Sequence, residues 1–107
     1  MKRFISIALL TVSTAASANY YTGNDLLERM NKRDTTTEML VLGYVAGVSD
    51  FARGDLHCAP LSVTLGQMRD ISHQRLLRDP STRHRSASLL VALALMEVWP
   101  CEKKDNL

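Results

Sequence analysis

The sequence predicts a small all-α domain of four to five helices with one intrachain disulfide. Apolar residues recur at helical spacing in several segments, and no segment shows the period-two alternation that is typical of a strand. The chain has 107 residues, which is enough for one domain. Its 46% hydrophobic and 22% charged residues exclude a disordered, collagenous or coiled-coil chain, so we expect a packed core.

Residues 1–18 have the pattern of a secretory signal peptide. A basic start is followed by a mostly apolar run over residues 4–12, and Ala16-Ser17-Ala18 matches the small-x-small cleavage pattern. The apolar run is shorter than the ~20 residues that a membrane-spanning helix needs. We therefore expect cleavage after Ala18, export of a helical domain over residues 19–107, and no membrane attachment after cleavage.

The charge balance of residues 19–107 argues against a polyanionic partner. Lys2 and Arg3 belong to the predicted signal peptide, so 11 of the 13 basic residues remain against 11 acidic residues. Aromatic residues make up only 6% of the chain, which leaves little for stacking on bases. We expect no nucleic-acid binding.

The two cysteines favour a disulfide between Cys58 and Cys101, because an even pair in a small exported domain is usually bonded. A catalytic thiol or a metal site is the competing interpretation. The three histidines and two cysteines show no spacing that is typical of metal ligands, and no G-x-S-x-G motif is present. We therefore expect no metal, no cofactor and no catalytic residue.

Capping patterns and apolar spacing predict the first two helices. Asn24 could cap a short helix that ends near Arg29, with three residues on its buried side: Leu26, Leu27 and Met30. Thr35-x-x-Glu38 is a capping-box pattern that opens a second helix. That helix is predicted to run to about Arg53, with Gly54 in a left-handed cap and four apolar positions on its inner face: Leu40, Tyr44, Val48 and Phe51.

The same signals predict two further helices. Thr64-x-x-Gln67 opens the third, which Asp79-Pro80 ends. Its inner face is predicted to consist of Leu65, Met68, Ile71 and Leu76. A polar segment follows over residues 80–85, with one helical turn that Pro80 could start, and the last helix spans Ser86 to Trp99.

Two of the predicted helices are apolar around nearly their whole circumference, over residues 39–48 and 87–96. A domain of this size has little core to bury both, so we expect part of this surface to form a homodimer interface. The alternative is that both helices lie at the centre of the bundle. Gly43 and Gly47 share one helix face and each costs about 1 kcal/mol relative to Ala, so Gly43, Tyr44 and Gly47 are predicted to pack against another helix or a partner.

An ordered set of short motifs resembles one protein family. The segment Gly43 to Asp50 reads G-Y-x-x-G-x-x-D, Cys58-Ala59-Pro60 precedes V-T-x-x-Q, and Asp79-Pro80-x-x-Arg83 precedes a Leu-Leu pair. The closing Trp99-Pro100-Cys101 completes the set. Together these motifs resemble the Rap/Tai family of immunity proteins, which protect bacteria against type VI secretion amidase effectors. Leu61-Ser62 departs from the Glu-Gly that the family commonly has before Val-Thr.

The resemblance implies a periplasmic helical immunity domain, often a homodimer, that binds a peptidoglycan amidase and occludes its active site without catalysis. Two surfaces are candidates for that contact. One is the turn before the last helix, around which five basic residues cluster: Arg75, Arg78, Arg83, His84 and Arg85. Its six candidate contact residues are Asp79, Ser81, Thr82, Arg83, His84 and Arg85. The other is the loop beside the disulfide, with Asp55 and His57. The alternative for the turn is an ordinary solvated surface.

A second class of function shares the same features. A small periplasmic acid-stress chaperone has a similar size, helical structure and disulfide. Such a protein would open at low pH and expose its apolar helices, and His57, His73 and His84 could titrate in that range.

Overall fold

The computed structural model describes residues 3, 4, 8 and 20–102. Within residues 20–102 the chain forms four α-helices, one 3-10 turn and no strand, which confirms the all-α prediction. The helices are α1 (Gly23–Met30), α2 (Thr35–Ala52), α3 (Leu65–Arg78) and α4 (Ala87–Val98), and the 3-10 turn spans Pro80–Thr82. The predicted signal peptide and its cleavage site lie outside the described residues, apart from positions 3, 4 and 8.

One hydrophobic core holds the four helices together. Each helix contacts the other three, and every helix contributes side chains that are almost completely buried. The central ones are Leu26, Val41, Val45, Met68, Leu76, Leu90, Val91 and Leu95. Among the described residues, no helix is long and apolar enough to cross a bilayer.

Two predicted helix starts are wrong by one or two residues, because an earlier side chain caps each helix. Thr22, not Asn24, caps α1: its Oγ1 accepts from the Asp25 amide at 3.2 Å, and Asp25 Oδ2 accepts from the Thr22 amide at 3.0 Å. Asp34, not Thr35, caps α2 by accepting from the Thr37 amide at 2.8 Å.

Glu38 takes no part in capping because it is paired with α3. Arg69 donates to both carboxylate oxygens of Glu38, from Nε at 2.9 Å and from Nη2 at 3.1 Å. Arg69 also donates to the Met30 carbonyl oxygen at 3.2 Å. This two-bond pair joins the start of α2 to α3 and to the end of α1.

The inner face of α2 is rotated by one residue from the prediction. Four residues are buried, each one position after the predicted set: Val41, Val45, Ser49 and Ala52. Leu40 is 43% exposed and Phe51 is 90% exposed, while Tyr44 and Val48 are half-buried. Both sets have helical spacing, so periodicity alone could not choose between them. Leu40 and Phe51 of the predicted inner face therefore lie on the outside, whereas Tyr44 and Val48 pack at the edge of the core.

The other predicted elements agree closely with the structure. Thr64 and Gln67 form the expected capping box of α3, which ends at Arg78, and Pro80 starts a 3-10 turn. The inner face of α3 is Met68, Ser72 and Leu76, whereas the predicted Leu65 is exposed and Ile71 is half-buried. Gly54 has a φ of +87°, the left-handed conformation that was predicted for it after α2.

The predicted disulfide between Cys58 and Cys101 is present, with 4.8 Å between the two Cα atoms. It joins the loop after α2 to the segment after α4. The Cys58 amide also donates to the Trp99 carbonyl oxygen at 2.8 Å. The end of α4 is therefore fixed to the rest of the domain by a covalent bond and a hydrogen bond.

Reduction of this disulfide is expected to destabilise the domain strongly. The bond closes a segment of 43 residues, for which loop entropy gives a loss of about 4 kcal/mol in the free energy of unfolding. Urea unfolding of the oxidised protein and of a Cys58→Ser, Cys101→Ser double variant measures the difference. A difference in the free energy of unfolding of less than about 1 kcal/mol between the two proteins would contradict the prediction.

Candidate partner-binding surfaces

The turn between α3 and α4 is docked on the N-terminus of α1. The Gly23 amide donates to the Arg85 carbonyl oxygen and the Asn24 amide donates to the Arg83 carbonyl oxygen, both at 2.9 Å. The first amides of a helix have no partner within the helix, so the turn supplies acceptors that α1 lacks. The Ala87 amide donates back to the Tyr21 carbonyl oxygen at 2.9 Å. Backbone bonds in both directions thus hold the turn in one conformation.

Gly23 is required for this docking. A Cβ atom at position 23 would lie 2.5 Å from Leu90 Cδ1 and 2.9 Å from the Arg83 carbonyl oxygen. The second distance is to backbone, which cannot move without breaking the turn from α1. This role of Gly23 could not be predicted from the sequence, because its position next to a helix start gives no signal of a close contact with another segment.

Hydrogen bonds within the turn favour the ionised form of the Asp79 carboxylate. Ser81 Oγ donates to Asp79 Oδ1 at 2.8 Å. The hydrogen bonds from Ser81 and Thr82 lower the pKa of Asp79, and Arg75 and Arg78 add a smaller lowering. The turn therefore presents a negative charge among its cations.

The six candidate residues of the turn differ in accessibility. Ser81, His84 and Arg85 are exposed, whereas Asp79, Thr82 and Arg83 are half-buried. The Nε atom of Arg83 is buried and has no hydrogen-bond partner among the described residues. Of the two arginines among these six residues, Arg85 is therefore the exposed one.

The basic cluster expected around this turn is smaller than the sequence suggested. Glu97 of α4 accepts from Arg78 Nη2 at 2.9 Å and from Arg75 Nη1. Burial alone would raise the pKa of Glu97, but the hydrogen bonds and charges of the two arginines outweigh it and lower the pKa. Arg75 and Arg78 thus share one carboxylate, which lies 19 residues or more along the chain from them and offsets one of their two charges.

The loop beside the disulfide is organised around His57, which is completely buried. Its Nε2 lies 2.9 Å from the Ser49 carbonyl oxygen, and its Nδ1 accepts from the Ala59 amide at 3.2 Å. These partners require a proton on Nε2 and none on Nδ1. The expectation that the His57 side chain contacts a partner is therefore wrong for this conformation: it positions the loop, which exposes Asp55 and Leu56.

An apolar groove of about 610 Å³ lies between α2, α4 and this loop. Its lining includes Tyr44, Val48, Phe51, Leu56, Leu89 and Ala92. Gly43 and Gly47 lie in the same lining, and a Cβ atom at either position would meet nothing within 4 Å. Packing of these two glycines against a helix of the same chain, one of the two predicted explanations, is therefore wrong.

Tyr44 forms one wall of the groove and is tied to α1. Its ring packs edge to face on Tyr21 with 5.5 Å between the centroids, and the Arg29 guanidinium lies 4.2 Å from the Tyr21 ring centre. Burial raises the pKa of the Tyr44 hydroxyl. The groove wall is therefore an ordered part of the domain.

The sequence of this helical domain matches a known protein family. The family model described as Rap1a immunity proteins matches residues 22–101, which contain all four helices, both cysteines and the docked turn. The chain belongs to the Rap1a immunity protein family. No curated protein matches the chain.

Membership in the Rap1a family supports an immunity role, in which the protein acts by binding a cognate effector. The described residues contain no group of three or more side chains that could hold a metal ion. The features available for binding are the docked turn, the loop around His57 and the apolar groove.

Loss of the His57 side chain is expected to destabilise the domain by about 3 kcal/mol, because His57→Ala leaves a cavity and unpairs two buried backbone groups. Urea unfolding measures the change. Leu56→Ala, at a neighbouring side chain that is 48% exposed, is the matched control and should change stability by less than about 1 kcal/mol. Equal losses of stability in His57→Ala and Leu56→Ala would contradict the conclusion that the buried His57 side chain holds the loop in place.

The Asp79 carboxylate is expected to stabilise the turn at neutral pH but not in strong acid. Its pKa is lowered in the folded protein, so its contribution is present above the ordinary value of 3.8 and is lost as the pH falls through the folded value. Asp79→Asn should therefore lower the melting temperature at pH 7, and the difference from the unmodified protein should vanish towards about pH 2.

The matched control for Asp79→Asn is Glu28→Gln, which removes an exposed carboxylate of α1 outside the turn. Thermal unfolding followed by circular dichroism across this pH range compares the three proteins. A melting-temperature difference for Asp79→Asn that is constant with pH would show that the carboxylate is not the stabilising group.

Proposed function

We propose that this protein is a periplasmic immunity protein that binds a type VI secretion peptidoglycan amidase and occludes its active site. The family supports binding of a cognate effector. The amidase and the type VI secretion system are the partner class that the motif resemblance implies, and the signal-peptide pattern of residues 1–18 is the basis for the periplasm. Because such an effector attacks the cell wall, its inhibitor is needed in that compartment.

The observation that carries the proposal is the docking of the turn on α1. Gly23 and Asn24 hold the backbone of Arg83 and Arg85 at 2.9 Å, so the turn loses little further conformational entropy when it binds. Its exposed side chains, Ser81, His84 and Arg85, extend from an ordered backbone. A rigid, polar projection of this kind is suited to a cleft that is lined with polar and acidic groups.

We further propose that the loop around His57 is the second contact. Asp55 and Leu56 are exposed, and the His57 hydrogen bonds and the disulfide fix the backbone between them and Cys58. The two contacts need no metal, cofactor or reacting group, because occlusion requires only that the bound surface excludes substrate.

Homodimer formation is also part of the proposal. Two apolar helices exceed what a core of this size covers, and the structure leaves Leu40, Phe51 and Leu89 between 42% and 90% exposed. Exposed apolar patches of this kind are typical of protein interaction sites.

Titration of the protein into an amidase effector encoded beside its gene tests the proposal. Hydrolysis of peptidoglycan should fall in proportion to the protein added and cease at a fixed subunit ratio. Undiminished hydrolysis would contradict the amidase assignment. Binding of unfolded client proteins at low pH would then favour the acid-stress chaperone.

Substitutions in the turn test its role in that inhibition. Arg85→Ala is expected to weaken binding to the amidase about tenfold to a hundredfold, because arginine at the centre of an interface often contributes most to affinity. Isothermal titration calorimetry measures the dissociation constant. The matched control is Arg33→Ala, which removes an exposed arginine from the α1–α2 loop. Equal affinity of the two variants would exclude the turn as the contact surface.

A further inference from the structure

The Arg69 guanidinium joins α1, α2 and α3 at one point. Its side chain is only 15% exposed. It donates to both carboxylate oxygens of Glu38 in α2 and to the Met30 carbonyl oxygen in α1. A largely buried arginine that loses its acceptors is costly, because little water is present to replace them. The position of the end of α1 against α2 and α3 therefore depends on where Arg69 is held.

His73, one turn further along α3, faces the same guanidinium. Its Nδ1 lies 3.4 Å from Arg69 Nη1. Arginine has no acceptor, so Nδ1 must accept this hydrogen bond and the ring proton must lie on Nε2. Nε2 is buried and has no hydrogen-bond partner among the described residues. The site therefore fits a neutral imidazole and offers no acceptor for a second proton on the ring.

We propose that His73 and Arg69 form an acid-sensitive latch, in which a proton on His73 Nδ1 displaces Arg69 from Glu38 and Met30 and loosens α1 against α2 and α3. The added proton turns Nδ1 from an acceptor into a donor that points at another donor, and it places a second positive charge beside Arg69. The latch acts on α1, the helix that also anchors the docked turn. It requires no partner and goes beyond the immunity function proposed above.

The charged groups around the latch come from α3, α2 and the α1–α2 loop. Arg69 and Asp70 lie on the helix of His73, and Glu38 comes from α2. Three charged residues of the loop line the same pocket as Arg69 and Glu38: Lys32, Arg33 and Asp34. Burial lowers the pKa of His73 most and the Arg69 charge lowers it further, whereas Asp70 and Glu38 act in the opposite direction. The net shift is downward, so the folded protein resists protonation of His73.

The other charged side chains of the neighbouring helices are placed elsewhere. In α1, Asp25 caps the helix, Arg29 lies over the Tyr21 ring and Glu28 is exposed. Glu97 of α4 pairs with two arginines of α3. None of these groups is among the causes that shift the pKa of His73. Protonation of His73 is therefore governed by its burial and by the charges around Arg69.

The latch predicts a loss of stability as the pH falls below the ordinary histidine pKa of 6.5. Because the pKa of His73 is lower in the folded protein, the unfolded chain binds the proton first. The equilibrium constant for unfolding should then rise by up to about tenfold per pH unit until the pH reaches the folded value. Above the ordinary value, this contribution does not change with pH.

Urea unfolding from about pH 7.5 to about pH 5 measures this rise in the unmodified protein and in variants. His73→Asn should remove the rise, because the Asn Oδ1 atom can accept from Arg69 but does not titrate. His73→Gln repeats the test with a longer side chain. The matched control His84→Asn replaces an exposed histidine and should keep the rise. His57 and the carboxylates are common to all four proteins, so their contributions cancel in the comparison.

Hydrogen exchange and an Arg69 variant locate the opening. After correction for the intrinsic rate, amides of residues 29–38 should exchange at least about tenfold faster at about pH 5 than at about pH 7.5 in the unmodified protein, but not in His73→Asn. The amides of α4 should keep their protection. Arg69→Gln removes the displaced cation and should reduce the rise in the unfolding constant.

Three outcomes would overturn the latch. They are the same pH dependence in His73→Asn as in the unmodified protein, a full rise that persists in Arg69→Gln, and an opening that is spread evenly over the four helices. None of these measurements uses the amidase, so a failure here is distinct from a failure of the immunity function.

Discussion

The structure depends on the attachment of α4 at both of its ends. At the N-terminal end, the turn before α4 is bonded to the first amides of α1 through Gly23 and Asn24. At the C-terminal end, the Cys58–Cys101 disulfide and the bond from the Cys58 amide to Trp99 fix α4 to the loop after α2. An apolar helix has many equivalent ways to bury itself, since its surface has no polar side that must face water. The two attachments select one of them.

These same attachments determine where the binding features lie. The bonds that hold the start of α4 also order the turn that carries Arg85, and the disulfide at its other end orders the loop around His57. Between the two, α4 and α2 leave the apolar groove uncovered. Stability and binding are therefore built from the same contacts, which explains why so small a domain can present several ordered surfaces.

The sequence predicted the features that depend on local chemistry. The capping box at Thr64, the end of α3 before Asp79-Pro80, the left-handed Gly54 and the disulfide all follow from residue types that have few alternative uses, and all are confirmed. Predictions that depended on a choice between chemically similar groups were wrong. Asp34 and Thr35 can both cap α2, and the choice followed from Arg69, a residue of another helix that binds Glu38.

At the candidate sites, too, the sequence predicted which residue types are present but not the contacts that depend on tertiary packing. Arginines around the turn could be identified from the sequence, but the pairing of Arg75 and Arg78 with Glu97 could not, because it depends on α3 and α4 packing side by side. His57 next to a cysteine in a predicted loop resembled an exposed contact residue, although tertiary packing buries it. Its two ring nitrogens form hydrogen bonds with backbone groups of Ser49 and Ala59. No sequence pattern predicts these partners.

The difference between the predicted and the observed inner face of α2 bears on function. Leu40, Tyr44, Val48 and Phe51 were predicted to face the core because these apolar residues follow helical spacing. The core instead selects Val41, Val45 and Ala52, which are small enough for four short helices to pack closely. Leu40 and Phe51 are left exposed at no gain to the monomer. A helix that leaves a leucine and a phenylalanine exposed beside an apolar groove has the pattern of a surface that another molecule covers.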